Sequence, residues 1–364
     1  MDSKIKIGVM DESVARLKGG PKVFMSRLKE SIVKKDVYSD TEFNRWINLS
    51  FRKVPKFVKK NKERIQIIVR FDGVWNDTLI PNLFFPTVMD HVNTIVFKRI
   101  NKVILDNYRL ADKVIYQSEF SKFAIEKLLF ERFKLDIPPK ESTIVYNGVD
   151  LEHFKPMKEC REKKNFPNIL ISHRLIPFKR AHQAPLIIEE LIKKYPDLKV
   201  HIVGEGVKNP YHFGKNSKDA IRKEIKLRGL ERHFEFYGHV DPDHLPKVYN
   251  KCDFMLNLSY ADPCPNVVVE AMACGLPVIA PNHGGIPELV GDAQLLIDEQ
   301  INMRSFQPRF IYRELPLINP NPYVEKIDNL LAHLPYYSEK MRARALEKFD
   351  ISEVSDAYIE FVCR

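Results

Sequence analysis

The sequence has few cysteines and no Cys-x-x-Cys pair: Cys160, Cys252, Cys264, Cys274 and Cys363 stand singly. An odd number at irregular spacings argues against a zinc site or a disulfide framework and for reduced thiols. No apolar run comes near the ~18 residues that a bilayer-spanning helix needs. The first residues, Met1-Asp2-Ser3-Lys4, do not open the apolar core of a signal peptide. A cytoplasmic protein is expected, and the sequons at Asn48, Asn76 and Asn257 then read as chance matches. Internal repeats and low-complexity tracts are lacking. So is the G-x-G-x-x-G dinucleotide fingerprint, since Lys18-Gly19-Gly20-Pro21 and Gly204-Glu205-Gly206 both fall short of it.

What is present is ordinary globular material, 364 residues with 44% hydrophobic and 29% charged. That length suits two domains. The charge is divided unevenly. Residues 1–155 hold 29 Lys/Arg against 20 Asp/Glu, a net of +9 out of +10 for the whole chain. The densest stretch runs from Arg52 to Arg64, where Lys53, Lys56, Lys59, Lys60 and Lys62 are interleaved with Val54, Phe57 and Val58, and Glu63 is the lone acid. Such a segment can lie on an anionic membrane surface or contact a polyanion. It can equally be the solvated face of a surface helix.

The hydrophobic pattern alternates between strand-like and helix-like runs. In the first half, Lys4–Met10, Ile65–Val69, Lys113–Gln117 and Ser142–Val145 read as strands. Lys22–Lys34, Val92–Leu110 and Ser121–Phe130 read as helices. Glu152–Phe166 is charged and without period, as expected of a linker. The alternation then resumes with strands Asn168–Ser172, Lys199–Val203, Phe234–Tyr237, Phe254–Leu258 and Pro277–Ala280. Between them lie helices Ala181–Lys194, Lys218–Leu227, Pro242–Tyr249 and Asn266–Cys274. Strands alternating with helices imply parallel sheets built from βαβ units. Two such series predict two doubly wound Rossmann-like α/β domains facing across a cleft, the first over 1–155 and the second over 165–350. Ligands of such sheets bind beyond the carboxyl ends of the strands.

Polar residues gather at those predicted strand ends. Ser172-His173-Arg174-Leu175-Ile176-Pro177-Phe178-Lys179-Arg180 follows a strand and opens a helix, so Arg174 and Lys179 can both reach one diphosphate. Asp262-Pro263-Cys264-Pro265 leads into a helix starting near Asn266. The amides of Val267 and Val268 fall in its first turn, and the Glu270 carboxylate lies one turn further on. Two carboxylates so placed can hold paired sugar hydroxyls, although a helix-dipole acid and a salt-bridged Glu would look the same. Gly284-Gly285 allows close approach of a ligand, and Glu288 either contacts that ligand or starts a helix. Asp241-Pro242-Asp243 has the D-x-D form of a metal site. Asp241 as helix cap with Pro242 at the first helical position explains it better, so no metal is expected.

Taken in order, these clusters resemble the retaining glycosyltransferases of family 4, which have the GT-B fold. The resemblance runs from Ile169 to Val290 and includes Val203-Gly204-Glu205-Gly206, Phe236-Tyr237-Gly238-His239-Val240 and Lys348-Phe349-Asp350. It is weaker at Lys18-Gly19-Gly20, Asp112–Ser118 and Val145–Asp150. It implies a nucleoside-diphosphate sugar as donor, with no obligatory cofactor. Asp262, where the family has a glutamate, would hold the donor sugar together with its neighbouring backbone and Asn266. Glu270 would hold the ribose, and Arg174 and Lys179 the diphosphate. Gly19, Gly20 and Gly204 would approach the phosphates, and His239 and Val240 would edge the base. His173 stands where family members often have glycine. Asp72, at the end of Val69-Arg70-Phe71-Asp72-Gly73, would lie at the reacting centre with Arg70 in support. In this fold the C-terminal helix, about 351–364, crosses back to the first domain.

The implied reaction moves a hexose-type sugar, with retained configuration, to a lipid-linked, glycan or other hydroxyl acceptor. Two other readings compete with it. A nucleotide-sugar epimerase of the same fold would need no second substrate. A non-catalytic protein of the same fold would bind polyanions or a membrane, peripherally, through Arg52–Arg64. No base-reading motif supports a nucleic-acid partner.

Overall fold

A computed structural model describes residues 5–10, 20–72, 88–131, 134–160, 166–206, 217–301 and 316–364. The chain forms two compact units, Met1–Gly148 with Lys348–Arg364, and Val149–Glu347.

The first unit is built on a five-stranded sheet: β1 (Ile7–Val9), β2 (Arg45–Leu49), β3 (Gln66–Phe71), β4 (Lys113–Tyr116) and β5 (Glu141–Ile144), in that spatial order. All neighbouring strands are parallel. An isolated parallel bridge between Ile7 and Tyr38 lies outside these strands. β3 and β4 are almost wholly buried, which is why they read as continuous aliphatic runs.

Helix α1 (Gly20–Val33) buries Phe24, Met25, Leu28, Ser31 and Ile32, a stripe at helical spacing. Short α2 (Lys56–Lys60) carries the basic stretch, and long α3 spans Val88–Leu110. Next, α4 (Glu119–Phe123) starts with a capping box between Ser118 and Ser121. It passes into a π-helix over Ala124–Glu131 where an uninterrupted α-helix is expected.

The second unit has a six-stranded parallel sheet of β6 (Asn168–Ser172), β7 (Lys199–Val203), β8 (Phe234–Gly238), β9 (Phe254–Leu256), β10 (Val278–Pro281) and β11 (Leu296–Ile297). Its order is β11-β10-β9-β6-β7-β8. From β6 the chain winds outward through β7 to β8. It then returns to the other side of β6 and winds outward through β9 to β11. The reversal places a topological switch point between β6 and β9, where a crevice opens beyond the strand ends. Around the sheet lie α5 (Ala184–Leu191), α6 (Ser217–Leu227), α7 (Leu245–Asn250), α8 (Asn266–Ala273), α9 (Ile286–Val290), α10 (Pro320–Ala332) and α11 (Leu334–Lys348).

The described residues 152–160 of the segment expected as a linker are packed into this unit. Phe154 is buried, and Arg342 donates to the Phe154 carbonyl at 3.0 Å. The Asn250 side chain accepts from the Met157 amide at 2.7 Å and donates to the Lys155 carbonyl at 2.9 Å. The division between units therefore falls at Gly148, ahead of the expected 155.

The last helix, α12 (Ile351–Cys363), belongs to the first unit. Asp350 caps it by accepting from the Ser352 amide. It packs on α1, with Ser31 and Ser355 hydroxyls 2.8 Å apart and the Phe24 and Tyr358 rings 6.0 Å apart. Lys113 donates to the Phe361 carbonyl at 3.1 Å. No helix among the described residues is long and apolar enough to cross a membrane.

Candidate active site

The switch point of the second unit gathers the polar residues singled out above. β6 ends at Ser172, and His173, Arg174 and the 3₁₀ turn Pro177–Lys179 follow. β9 ends at Leu256, and its outgoing segment carries Asp262 to the start of α8. The two segments meet side chain to side chain, with Lys179 Nζ contacting Asp262 Oδ2. Arg174 stands exposed in the loop just ahead of that turn. Burial, with the Arg174 charge added, pushes the Lys179 ammonium down to about 7. The Asp262 carboxylate it touches acts in the opposite direction.

Glu270 is 4% exposed on α8 and is reached by a relay. The Tyr249 hydroxyl donates to Glu270 Oε2 at 3.3 Å and lies 2.7 Å from the Ser172 hydroxyl. Since Tyr249 donates forward, Ser172 must donate to Tyr249. Burial, with the Glu270 charge, raises the Tyr249 phenol well above its ordinary value, so it remains a donor.

At the start of α8 the Val268 amide donates to the Pro265 carbonyl at 3.1 Å. The N–H expected to face an anion thus has a backbone partner in this structure. Asn266 is buried and Val267 half-buried in the same turn.

The glycines have a different explanation from the expected one. A Cβ on Gly285 would stand 1.7 Å from the Pro263 carbonyl oxygen, and one on Gly284 3.1 Å from that of Asp262. This turn therefore packs on the backbone of the Asp262 segment, which leaves close ligand approach unnecessary as its cause. Gly204, at φ +130°, likewise presses on the His173 carbonyl, where a Cβ would come within 2.0 Å. His173 itself is buried and donates through Nδ1 to the Arg174 carbonyl at 3.1 Å. Burial, aided by the Lys179 charge, lowers it to about 3 and keeps it neutral. Glu288 lies in the first turn of α9. His239 is exposed and Val240 half-buried just past the end of β8.

Sequence reasoning missed a second buried cluster behind this site. Glu299 accepts from both directions: Arg180 Nη2 lies 3.0 and 2.9 Å from its two oxygens, His283 Nε2 2.8 Å and the Tyr323 hydroxyl 2.7 Å. Burial alone would raise its carboxyl. The His283 hydrogen bond, the Arg180 charge and the Tyr323 hydroxyl hold it instead at about 2. Being ionised, it must accept from His283, which fixes the proton on Nε2.

In the first unit, Asp72 follows β3 directly and pairs with Arg70, a side chain wholly shielded from solvent. Arg70 also donates to Gln117 Oε1 at 3.0 Å and to Asn147 Oδ1, and lies 4.2 Å over the Phe24 ring. Burial pushes the Asp72 carboxyl up, against the pull of Arg70. Gly20 is the exposed first residue of α1, and Gly19 lies outside the described residues. Lys53, Lys56, Phe57, Lys59, Lys60, Lys62 and Arg64 are all exposed.

The Asp241 carboxylate accepts from the Asp243 amide at 3.0 Å and caps the turn that Pro242 begins. Among the described residues no group of three or more His, Cys, Asp and Glu side chains is placed to hold a metal ion.

Two parallel α/β units of Rossmann type, with the C-terminal helix returning to the first, define the GT-B fold. Solved structures agree in fold. Sucrose-phosphate synthase of Thermosynechococcus elongatus is similar at a TM-score of 0.71, with 14% identity and 98% of each chain covered. Anabaena HepE, in complex with UDP and glucose, is similar at 0.68, with 17% identity and 99% of each chain covered. Residues 154–312 match the family model described as glycosyl transferases group 1. Spore coat protein SA of Bacillus subtilis is 27% identical over 203 residues, which cover 52% of this chain and 48% of that protein. An N-acetylgalactosaminyltransferase of Campylobacter jejuni, named for a diphospho-undecaprenol substrate, is 29% identical over 262 residues, covering 69% and 65%. The chain thus spans about half to two thirds of these curated relatives. The family-model match lies in the second unit and takes in its switch point.

Proposed function

We propose that the chain is a retaining glycosyltransferase that moves a hexose-type sugar from a nucleoside-diphosphate sugar to a hydroxyl acceptor. The observation that carries this reading is the meeting of Lys179 and Asp262 at the switch point, with Arg174 in the same loop after β6. Cations and a carboxylate side by side suit a ligand with a diphosphate at one end and sugar hydroxyls at the other. In this reading Lys179 exchanges Asp262 for the diphosphate and frees the carboxylate for the sugar.

Arg174 and Lys179 then stabilise the charge that develops as the nucleoside diphosphate departs, the main catalytic contribution. The departing phosphate can accept the acceptor proton. Glu270, kept in place by Tyr249, accepts the ribose hydroxyls, Gly204 backs the phosphate turn, and His239 and Val240 edge the base. Asp72 is assigned to the reacting sugar.

A lipid-linked or polymeric acceptor is favoured by the exposed cations around Phe57, which suit an anionic surface. The Campylobacter relative's name supports the same class of acceptor.

The test is binding and turnover with a panel of UDP, GDP and ADP sugars. A bound donor at a hundred times its Kd adds about 2.7 kcal/mol to stability. Glu270→Gln should weaken a ribonucleoside diphosphate more than its 2′-deoxy form, which has one hydroxyl fewer to donate. A chain that binds no nucleoside diphosphate and transfers from no donor overturns the proposal.

A further inference from the structure

We infer that Arg180 and Glu299 are positioning residues whose buried ion pair sets the approach of Lys179 to Asp262. This rests on the functional reading above. Arg180 directly follows Lys179 and is fully buried. Its backbone is left-handed, φ 52° and ψ 21°, a conformation that side chains other than glycine rarely adopt. Such a residue persists only where its surroundings over-determine it.

Here they do. Nε donates to the Leu258 carbonyl at 2.7 Å, Nη2 to both Glu299 oxygens, and the guanidinium lies 5.5 Å from the Tyr260 ring centre. The Tyr260 amide donates back to the Phe178 carbonyl at 2.8 Å. The segment that carries Lys179 is thus tied to the one that carries Asp262. The left-handed turn sends the two neighbouring side chains apart, Lys179 to Asp262 and Arg180 to Glu299.

Glu299 brings in a third segment. His283, which donates to it, immediately precedes the Gly284-Gly285 turn that packs on Asp262 and Pro263. One carboxylate therefore joins the supports of both sides of the Lys179–Asp262 contact. Tyr323 on α10 closes its remaining approach.

A clamp of this kind acts on the phosphate end of the ligand. The test compares the nucleoside diphosphate that the wild-type chain binds, among UDP, GDP and ADP, with its parent nucleoside. Glu299→Gln keeps the shape and loses the charge. The double variant Arg180→Met with Glu299→Leu removes both charges together, which buried pairs commonly tolerate without unfolding.

Both should weaken the diphosphate about tenfold or more and leave the nucleoside within about twofold. Arg180→Lys, without the two-pronged fork, should fall between. Melting temperature is recorded for each variant. If diphosphate and nucleoside weaken alike, in step with a lowered melting temperature, the pair is merely structural and the inference fails. It also fails if the double variant melts normally and binds the diphosphate unchanged. A wild-type chain that binds none of the three diphosphates overturns the functional reading itself, and this inference with it.

Discussion

Lys179 and Asp262 touch across the point where the second sheet changes its direction of winding, one on the segment leaving β6 and the other on the segment leaving β9. Both side chains are 12% exposed, so the pair is screened little by water. In the proposed function a ligand replaces this contact, each partner being matched by half of a nucleotide sugar.

The lysine gives this exchange a pH dependence. Its ammonium is lowered to about 7 by burial and by Arg174. Below that pH the free chain already carries the charge the diphosphate needs. Above it, binding must draw a proton from solvent, and affinity falls as pH rises. Calorimetry in buffers of different ionisation enthalpy should therefore show proton uptake at about pH 8. Lys179→Arg, which stays charged throughout, should abolish the uptake and flatten the profile. Equal slopes in the two proteins would refute the assignment.

The glycines offer a test of the loops by themselves. Gly285→Ala would drive a methyl into the Pro263 carbonyl, and Gly204→Ala into that of His173. Each should cost more than about 3 kcal/mol in chemical denaturation. Gly229 is the control, being left-handed at φ +66° with nothing within 4 Å of an added Cβ. Gly229→Ala should cost only about 1–2 kcal/mol. Gly285, at φ −92°, carries no such backbone demand, so its loss reads the contact alone, and a loss at Gly204 no larger than at Gly229 would mean that backbone conformation sets the requirement there.

The physical pattern explains what could be read beforehand. Asn168–Ser172 coincides with β6 because a strand buried on both faces reads as a short aliphatic run, and Lys199–Val203 coincides with β7 although His201 stands within it. β2, with Arg45 at its start and Asn48 within it, is not read from the pattern. Asn48 is fully buried, and its amide donates to the Leu49 and Arg52 carbonyls. β11 is only two residues long.

The site divides in the same way. Arg174, Lys179, Asp262 and Glu270 stand at strand ends or on the helix that follows, where position alone suggests chemistry. Glu299 lies 119 residues from Arg180, and Tyr249 21 from Glu270. Such pairs leave no local pattern, since each member alone looks like an ordinary charge or core aromatic. The glycines of 284–285 are ambiguous in sequence for the opposite reason. A tight turn against a ligand and a tight turn against another loop demand the same residue.

Asp72 gives a prediction whose sign is set by two opposed effects. Burial raises its carboxyl, and Arg70, itself without solvent contact, pulls it back down. If the ionised form serves the reacting sugar, activity falls on the acid side as the carboxyl takes up a proton, at a pH above the ordinary carboxylate range. Weakening the opposing charge must move that limb further up. Arg70→Gln removes the charge while leaving groups to bond Gln117 and Asn147. Its acid limb should therefore lie at a higher pH than in the wild type, with kcat at the upper plateau reduced less than by Asp72→Asn. Should Asp72→Asn retain the full rate and the same acid limb, Asp72 would be no more than the internal partner of Arg70.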